Sequence, residues 1–260
     1  MAKVLVNESS LSGIADAIRG KNGSTNTYKP NEMAAAITAI ETGGGSDNSL
    51  WDAETETNLI SNRGAITTIA LPSGINNITA YAFANCINLN NLNIDSLPET
   101  ITSIGTYAFD GCRSLVLTEL PNTLTNIAAY AFCDCRDLAL TSLPNNLTNI
   151  GTGAFKGCWD ITINSLPIGV TAIPSYSFDG CIAITNMIFH SDITMLSSYS
   201  FSNCTGLQTV TFKGTPEIID RHAFSYCTNL TTINVPWAEG AVANAPWGAK
   251  NATINYNYTE

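Results

Sequence analysis

Apolar and polar residues follow one another along this chain in a pattern that repeats about every 23 residues. Phenylalanines mark the pattern, because they are separated once by 26 residues and then five times by 23, and a cysteine stands three residues after each. A fixed period in this range is typical of stacked repeat proteins, so seven copies predict a solenoid. The phenylalanines are Phe83, Phe109, Phe132, Phe155, Phe178, Phe201 and Phe224, and the cysteines are Cys86, Cys112, Cys135, Cys158, Cys181, Cys204 and Cys227.

Within one period, apolar residues two positions apart, such as Leu115 and Leu117, indicate short extended segments with one face inward. Leu-Pro ends the first segment in five periods, where the fixed φ of proline and its missing donor suit a bend. These prolines are Pro72, Pro98, Pro121, Pro144 and Pro167. Polar pairs such as Thr125 and Asn126 follow, and we expect them to stack into an outward, solvated stripe.

The Tyr-Ala-Phe sequence predicts a second corner, formed by a short helical turn. The residue before each cysteine is of a type that tolerates a left-handed backbone, with Tyr226 as the exception. These residues are Asn85, Gly111, Asp134, Gly157, Gly180 and Asn203. We expect the cysteines to point inward as small core residues, each free and able to bond a neighbouring backbone group.

The copies resemble the BspA-type leucine-rich repeat, whose isoleucine, aromatic-Ala-Phe, Gly-Cys and leucine signature matches "IGTYAFDGCRSL" almost position by position. The resemblance covers about residues 66 to 236. It implies an α/β repeat solenoid, a curved right-handed stack of seven turns with one strand per turn on the concave side. The late copies depart from the signature at Phe189-His190, Phe212-Lys213 and His222, so we expect different bends there.

The amino terminus has a different, helical pattern. Leu11, Ile14 and Ile18 share one helical face, and a second helix is predicted from Pro30 to Ile40 before a glycine-rich linker at residues 43–50. Two short helices cannot bury a useful core alone, so they need a partner. The segment from residue 8 to residue 40 resembles one carried by tail-associated proteins of phages and prophages of Gram-positive bacteria. That resemblance implies that residues 1–42 attach the chain to other virion proteins or form a homo-oligomer.

The remaining boundaries follow from where the period stops. Residues 51–236 form the predicted solenoid, and residues 237–260 leave the period while keeping Trp237 and Trp247. Because the end of a solenoid exposes apolar edges, the simplest interpretation of residues 237–260 is a cap. A role for the two tryptophans in stacking on carbohydrate is the alternative.

Composition excludes several classes of function. The net charge of −10 has the wrong sign for a protein that neutralises phosphates, so nucleic acid is not an expected partner. No apolar run is long enough to span a membrane, and the amino terminus lacks a secretory signal. These features favour a virion protein made in the host cytoplasm, with the cell surface as the alternative location.

The candidate chemistry is sparse. His190, Ser191 and Asp192 adjoin in sequence, but catalytic triads are assembled in space, so solvated turn residues are the better interpretation. His222 replaces the tyrosine of the other copies. A zinc site at Cys133 and Cys135 is conceivable, although inward-pointing cysteines disfavour it. No catalytic residue, metal site or cofactor is expected, and an enzyme is the least favoured hypothesis.

One row of side chains is a candidate binding feature. The residue after the repeat cysteine is Arg113, Arg136 and Trp159 in three consecutive copies. Two guanidinium groups and an indole in a row can stack on or hydrogen-bond to a sugar or an acidic polymer. The alternative is a surface ladder that only supports the packing of neighbouring coils.

Together these patterns favour a binding protein. The leading hypothesis is a phage or prophage tail-associated protein that displays the solenoid for adhesion to a bacterial surface polysaccharide or protein. The alternative is a BspA-like adhesin of the bacterial cell surface that binds host protein or carbohydrate.

Overall fold

The computed structural model describes Leu71, residues 74–90 and residues 97–259. The two helices predicted within residues 1–42 and the linker at residues 43–50 lie outside these ranges. Every regular element of the described residues is a short parallel strand. The strands are β1 Asn77–Ile78, β2 Ser103–Ile104, β3 Asn126–Ile127, β4 Asn149–Ile150, β5 Ala172–Ile173, β6 Asn186–Phe189, β7 Met195–Leu196, β8 Thr209–Phe212, β9 Ile218–Ile219, β10 Thr232–Asn234 and β11 Thr253–Asn255.

The chain forms a parallel β-solenoid in which each coil places one strand beside its equivalent in the next coil. Strands β1 to β4 pair in chain order, and β5, β7 and β9 continue the same position of the repeat in the next three coils. The register joins equivalent residues, for example Ile104 with Ile127 and Ile127 with Ile150. The polar residue before each isoleucine lies on the outside, as predicted, and Asn149 donates its amide to Asn126 at 2.5 Å.

The described residues form about eight coils rather than the predicted seven. Residues 237–260, predicted as a cap, contribute β11, which pairs in parallel with β10. Ala249 takes the cysteine position in this last coil, because the bond from Ala252 N–H to the Ala249 carbonyl repeats the bond from Leu230 to Cys227. The repeat cannot be recognised in the sequence of this last coil, because the coil lacks both the phenylalanine and the cysteine.

The late coils carry a second sheet, so the expectation of one strand per coil is wrong for them. The order of this sheet is β11-β10-β8-β6. Lys213 donates its backbone N–H to the Phe189 carbonyl at 2.8 Å, at the position where earlier coils have proline. Since proline has no N–H to donate, this bond cannot form in the Leu-Pro coils. The replacement of Leu-Pro thus lengthens the ladder, and the bend differs as predicted.

The corner around each phenylalanine contains no helix among the described residues. It is built instead from successive turns, in which the Cys112 N–H bonds to the Phe109 carbonyl and the Asp110 N–H to the Tyr107 carbonyl. The residue before each cysteine has the predicted left-handed backbone, and Tyr226 shares it with a φ of 63°. A second left-handed residue at the tyrosine position, such as Tyr107 with a φ of 55°, prevents helical continuation.

The core is a pair of ladders that run through the coils. The seven repeat phenylalanines are buried and stack on one another with ring centroids 5.0 to 6.0 Å apart. Six of the repeat cysteines, from Cys112 to Cys227, donate their S–H to the phenylalanine carbonyl of the preceding coil at 2.9 to 3.2 Å. The cysteine is therefore both a small core residue and a hydrogen-bond link between coils.

One buried hydroxyl in this core is unsatisfied. Ser200 is fully buried, and its Oγ has no hydrogen-bond partner, whereas Ser177 at the same position one coil earlier donates to the Pro174 carbonyl at 2.8 Å. We expect Ser200→Ala to raise the free energy of unfolding by about 1 kcal/mol and Ser177→Ala to lower it by a similar amount. Urea unfolding followed by circular dichroism measures both. Equal losses in the two variants would contradict this assignment.

Candidate binding surface

The corner around each phenylalanine carries three columns of side chains, which together we name the corner face. The first column is mostly half-buried, the second is half-buried or buried, and the third is exposed in most coils. The first column, two residues before each phenylalanine, contains Tyr81, Tyr107, Tyr130, Gly153, Tyr176, Tyr199 and His222. The second, one residue after, contains Ala84, Asp110, Cys133, Lys156, Asp179, Ser202 and Ser225. The third, one residue after each cysteine, contains Ile87, Arg113, Arg136, Trp159, Ile182, Thr205 and Thr228.

The first column is a ladder of stacked rings, named the aromatic column. Tyr81, Tyr107 and Tyr130 stack with centroids 5.1 and 4.9 Å apart. Beyond Gly153 the stack resumes from Tyr176 to Tyr199 at 5.2 Å and ends on the imidazole of His222 at 5.0 Å. The sequence interpretation treated these tyrosines only as corner packing. The 23-residue spacing of the tyrosines was the signal that could have revealed the column.

The tyrosines of this column are held in a costly backbone conformation. Tyr81, Tyr107, Tyr130, Tyr176 and Tyr199 have φ between 55° and 60°. A left-handed backbone costs roughly 1–2 kcal/mol for a residue with a side chain, and stacking of each ring pair returns about 0.5–1.5 kcal/mol. Gly153 shows that the fold accepts glycine at this position. The turn therefore needs no ring at this position, and what the tyrosines contribute is the stacked aromatic column.

The predicted row of Arg113, Arg136 and Trp159 lies in the third column, and two of its members touch. The guanidinium carbon of Arg136 lies 4.1 Å from the centroid of the Trp159 ring, a cation–π contact. The Trp159 side chain remains 41% exposed. Arg113 is exposed one coil before Arg136. The Nε of Arg136 is buried without a hydrogen-bond partner, so stacking on the indole is what fixes this guanidinium.

Lys156 connects the columns on the other side of Gly153. Its ammonium lies 3.4 Å from a carboxylate oxygen of Asp179 and 5.1 Å from the centroid of the Tyr176 ring. Asp179 also accepts a hydrogen bond from the Asn203 amide at 2.8 Å. The lysine is thus tied to the next coil by a carboxylate and a ring face.

His190, Ser191 and Asp192 do not form a triad. The backbone N–H of Asp192 donates to Nδ1 of His190 at 3.3 Å, and Nε2 of His190 lies 3.1 Å from the Val170 carbonyl. Both ring nitrogens are therefore engaged with the backbone. The Ser191 hydroxyl bonds to the Asp192 carboxylate at 3.0 Å rather than to the imidazole. These contacts are those of a turn that is held by its own side chains.

His222 occupies a rung of the aromatic column. Arg221 donates its Nε–H to Nε2 of His222 at 3.0 Å, and Nδ1 lies 3.4 Å from the Ser225 hydroxyl. Because Nε2 accepts a hydrogen bond, the ring proton resides on Nδ1 in this arrangement. The imidazole replaces a phenol in the stack, as the sequence indicated.

All eight cysteines are free, and Cys133 is the only one that is not fully buried. Burial, with Asp110 and Asp134 nearby, raises the pKa of the Cys133 thiol to about 12. Among the described residues no group of three or more histidine, cysteine or acidic side chains is placed to hold a metal ion. The described residues also contain no helix long and apolar enough to cross a membrane.

The tryptophans after the seventh coil are core residues. Trp247 is fully buried and Trp237 nearly so, and Phe212 packs between them with centroids 5.3 Å from Trp237 and 6.4 Å from Trp247. The Trp247 N–H donates to the Ala243 carbonyl at 2.7 Å. A role in stacking on carbohydrate is therefore wrong for these two residues, because their ring faces are covered.

Comparison with known proteins agrees with this architecture. The family model of the BspA type leucine rich repeat region matches residues 54–173 and 153–240 in six copies. No curated protein matches the chain significantly.

Two solved structures illustrate the likeness. A leucine rich repeat protein of T. pallidum is 28% identical over 63% of this chain and 78% of its own, with a TM-score of 0.49. A leucine rich cell surface protein of Faecalibacterium prausnitzii is 19% identical over 78% of this chain and 76% of its own, with a TM-score of 0.41. With its described coils and the family match over most of its length, the chain belongs to the BspA type leucine rich repeat family.

Proposed function

We propose that this protein is an adhesin of a phage or prophage tail, whose solenoid binds a polysaccharide or protein on a bacterial surface. The corner face is the observation that carries the proposal. It holds stacked rings and the pair of a half-buried Arg136 and an exposed Trp159 in register along the stack of coils. Stacked repeats of this kind provide extended binding surfaces because each coil adds one more row of contacts.

The rigidity of the corner face favours binding. Adjacent coils are joined there by backbone bonds, for example from Phe132 N–H to the Ala154 carbonyl and from Phe155 N–H to the Ser177 carbonyl, both at 2.8 Å. Side chains anchored on such a backbone lose little conformational entropy when a ligand docks. Tyrosine, tryptophan and arginine are also the residue types that contribute most to binding energy at interfaces.

Placement on a virion tail rests on the amino-terminal sequence. Residues 8–40 resemble the attachment segments of tail-associated proteins, and the apolar stripes of the two predicted helices need a partner. The second candidate, a BspA-like adhesin of the cell surface, fits the repeat family equally well. Gold-labelled antibody against this chain distinguishes the two: labelled tails on phage particles support the first, and label only on the cell wall supports the second.

Adhesion itself is tested with intact cells. Fluorescently labelled full-length protein is incubated with a panel of Gram-positive bacteria, and the bound fraction is measured by flow cytometry. We expect saturable binding to at least one strain that unlabelled protein displaces. Binding no stronger than that of labelled serum albumin to every strain of the panel would contradict adhesion.

Removal of residues 1–45 is expected to separate attachment from folding. The solenoid should keep its thermal transition nearly unchanged, because its core lies within the coils, while self-association or incorporation into a virion is lost. Light scattering and calorimetry on both chains measure the two effects. A monomeric full chain together with an unfolded truncated chain would mean that the helices cover the first coil instead.

A further inference from the structure

One coil departs from the others in all three columns of the corner face. In the coil of residues 151–160, Gly153 replaces the ring of the aromatic column, Lys156 is the one basic residue of the second column, and Trp159 is the one tryptophan of the third. Among the described coils, this one alone combines a missing ring with a basic residue and an exposed indole, which makes it the candidate for a ligand site.

Gly153 shapes the first part of this coil. A Cβ placed on Gly153 would lie 2.4 Å from the Tyr130 ring, so the absence of a side chain is what lets that ring lie over the backbone. The Lys156 N–H bonds to the Gly153 carbonyl at 3.0 Å, which places the lysine beside the coil position that lacks a ring. The missing rung thus separates Tyr130 from Tyr176, and the lysine ammonium lies against the Tyr176 ring face.

Basic and acidic side chains lie in the same coil as the exposed indole and in the two neighbouring coils. Arg136 fixes Trp159 from one side, while Lys156 is held by Asp179. Asp160 follows Trp159 directly and is exposed. A polyanion would be repelled by these carboxylates and by the net charge of −10. A purely apolar ligand would leave the charged groups without partners.

A pyranose ring satisfies both requirements. Its neighbouring hydroxyl groups can donate to carboxylates and accept from ammonium or guanidinium groups, and its C–H face packs on an aromatic ring, whose face is electron-rich. Coils of a parallel ladder advance by roughly 4.8 Å, which is comparable to one sugar unit of an extended chain. Successive sugars of a chain that runs along the solenoid axis therefore meet successive coils.

We propose that the coil of residues 151–160, with Arg136 and Asp179 of its neighbours, binds a sugar unit of an uncharged polysaccharide on the bacterial surface. This proposal rests on the adhesion function proposed above and names its ligand class. Trp159 provides the stacking surface, Lys156 and Arg136 provide donors, and Asp160 provides an acceptor, while Asp179 holds Lys156 in place.

The test uses the full chain and a strain that it binds. The cells are left untreated, treated with periodate to cleave sugar diols, or treated with proteinase K, and polysaccharide purified from the same strain is used as competitor. Trp159→Ala is expected to weaken binding at least tenfold. Ile87→Ala, in the same column three coils earlier and 41% exposed, is the matched control and should change binding less than twofold.

Gly153→Tyr is a second variant of the same coil. The backbone at Gly153 has the positive φ that tyrosine adopts in neighbouring coils, but a Cβ there would lie 2.4 Å from the Tyr130 ring, so that ring must move to make room. A cooperative thermal transition establishes that the variant is folded, and we expect a loss of binding like that of Trp159→Ala because the new ring completes the aromatic column beside Lys156. Binding should be lost on periodate-treated cells, retained on proteinase-treated cells and little changed by salt.

The outcomes separate the two proposals. Loss of binding after proteinase K but not after periodate would overturn the sugar site and leave adhesion intact. Equal effects of Trp159→Ala and Ile87→Ala, or full binding by Gly153→Tyr, would also overturn the site while adhesion stands. A steep loss of binding with salt would indicate a polyanionic ligand instead. Failure to bind any strain would overturn adhesion and the sugar site together.

Discussion

Replacement of Phe155 by alanine is expected to lower the free energy of unfolding by about 3–5 kcal/mol. The Phe155 ring is fully buried and stacks between Phe132 at 5.6 Å and Phe178 at 5.4 Å. Its loss leaves a cavity that rigid neighbouring coils cannot fill, because backbone and thiol bonds fix the spacing between coils. Urea unfolding measures the change, and hydrogen exchange should show faster exchange in the coils on either side.

Phe224→Ala is the control for this prediction. Phe224 ends the phenylalanine column, and its neighbour within the column is Phe201 at 6.0 Å. Because stability in a stacked repeat depends on the interfaces with both neighbours, a ring at the end of the column contributes less than a central ring. We expect a smaller loss for Phe224→Ala than for Phe155→Ala. Comparable losses would argue against a stack in which each coil is stabilised by its immediate neighbours.

The core of this solenoid can be predicted from the sequence because it depends on side-chain identity at a fixed period. A buried ring every 23 residues can stack only on its own copies, and a small thiol beside it fits a tight corner. The left-handed residues before the cysteines were predictable for the same reason, since glycine and asparagine have a known backbone preference. Each of these conclusions uses local chemistry that the repeat multiplies.

The corner conformation and the second sheet could not be predicted because they depend on hydrogen bonds between coils. Tyr-Ala-Phe has no residue that forbids a helix, yet the bond from Tyr107 N–H to the Ala129 carbonyl of the next coil holds Tyr107 in a left-handed conformation. The second sheet follows from Lys213 at a proline position. The extra backbone bond that Lys213 makes can be recognised only once the position of the Phe189 carbonyl is known.

Only part of the candidate site could be predicted from the sequence. The row of Arg113, Arg136 and Trp159 follows from the period, and the stacking of Arg136 on Trp159 agrees with the idea of a surface ladder. The importance of Gly153 was hidden because a glycine at a turn is ordinarily explained by its backbone freedom. Only the position of the Tyr130 ring shows what its missing side chain allows.

Alkaline pH is expected to unfold this protein over a narrow pH range. The core thiols can ionise only when the chain unfolds, so their ionisation favours the unfolded state. Burial raises the pKa of buried cysteine thiols well above their ordinary value of 9.0, and that of Cys133 to about 12. The affected buried thiols are those of Cys112, Cys135, Cys158, Cys181 and Cys204. A pKa that is higher in the folded state means that the folded chain holds the proton more tightly. The stability is therefore fully present below pH 9 and is lost as the pH rises towards the folded pKa.

The size of this effect follows from the number of thiols. Each thiol that ionises only in the unfolded chain lowers the free energy of unfolding by about 1.4 kcal/mol per pH unit, so the five buried thiols together give a slope that approaches about 7 kcal/mol per unit as the pH rises above 9. Urea unfolding between pH 7 and pH 10 measures the slope. The double variant Cys158→Ala, Cys181→Ala is the control, since Ala249 already serves at this position in the last coil, and its slope should be shallower by about 3 kcal/mol per unit. Below pH 9 the native protein should also react with a thiol reagent far more slowly than the denatured chain, in which all eight cysteines are accessible. Equal slopes in the parent and the double variant would mean that the core thiols are not what limits stability at alkaline pH.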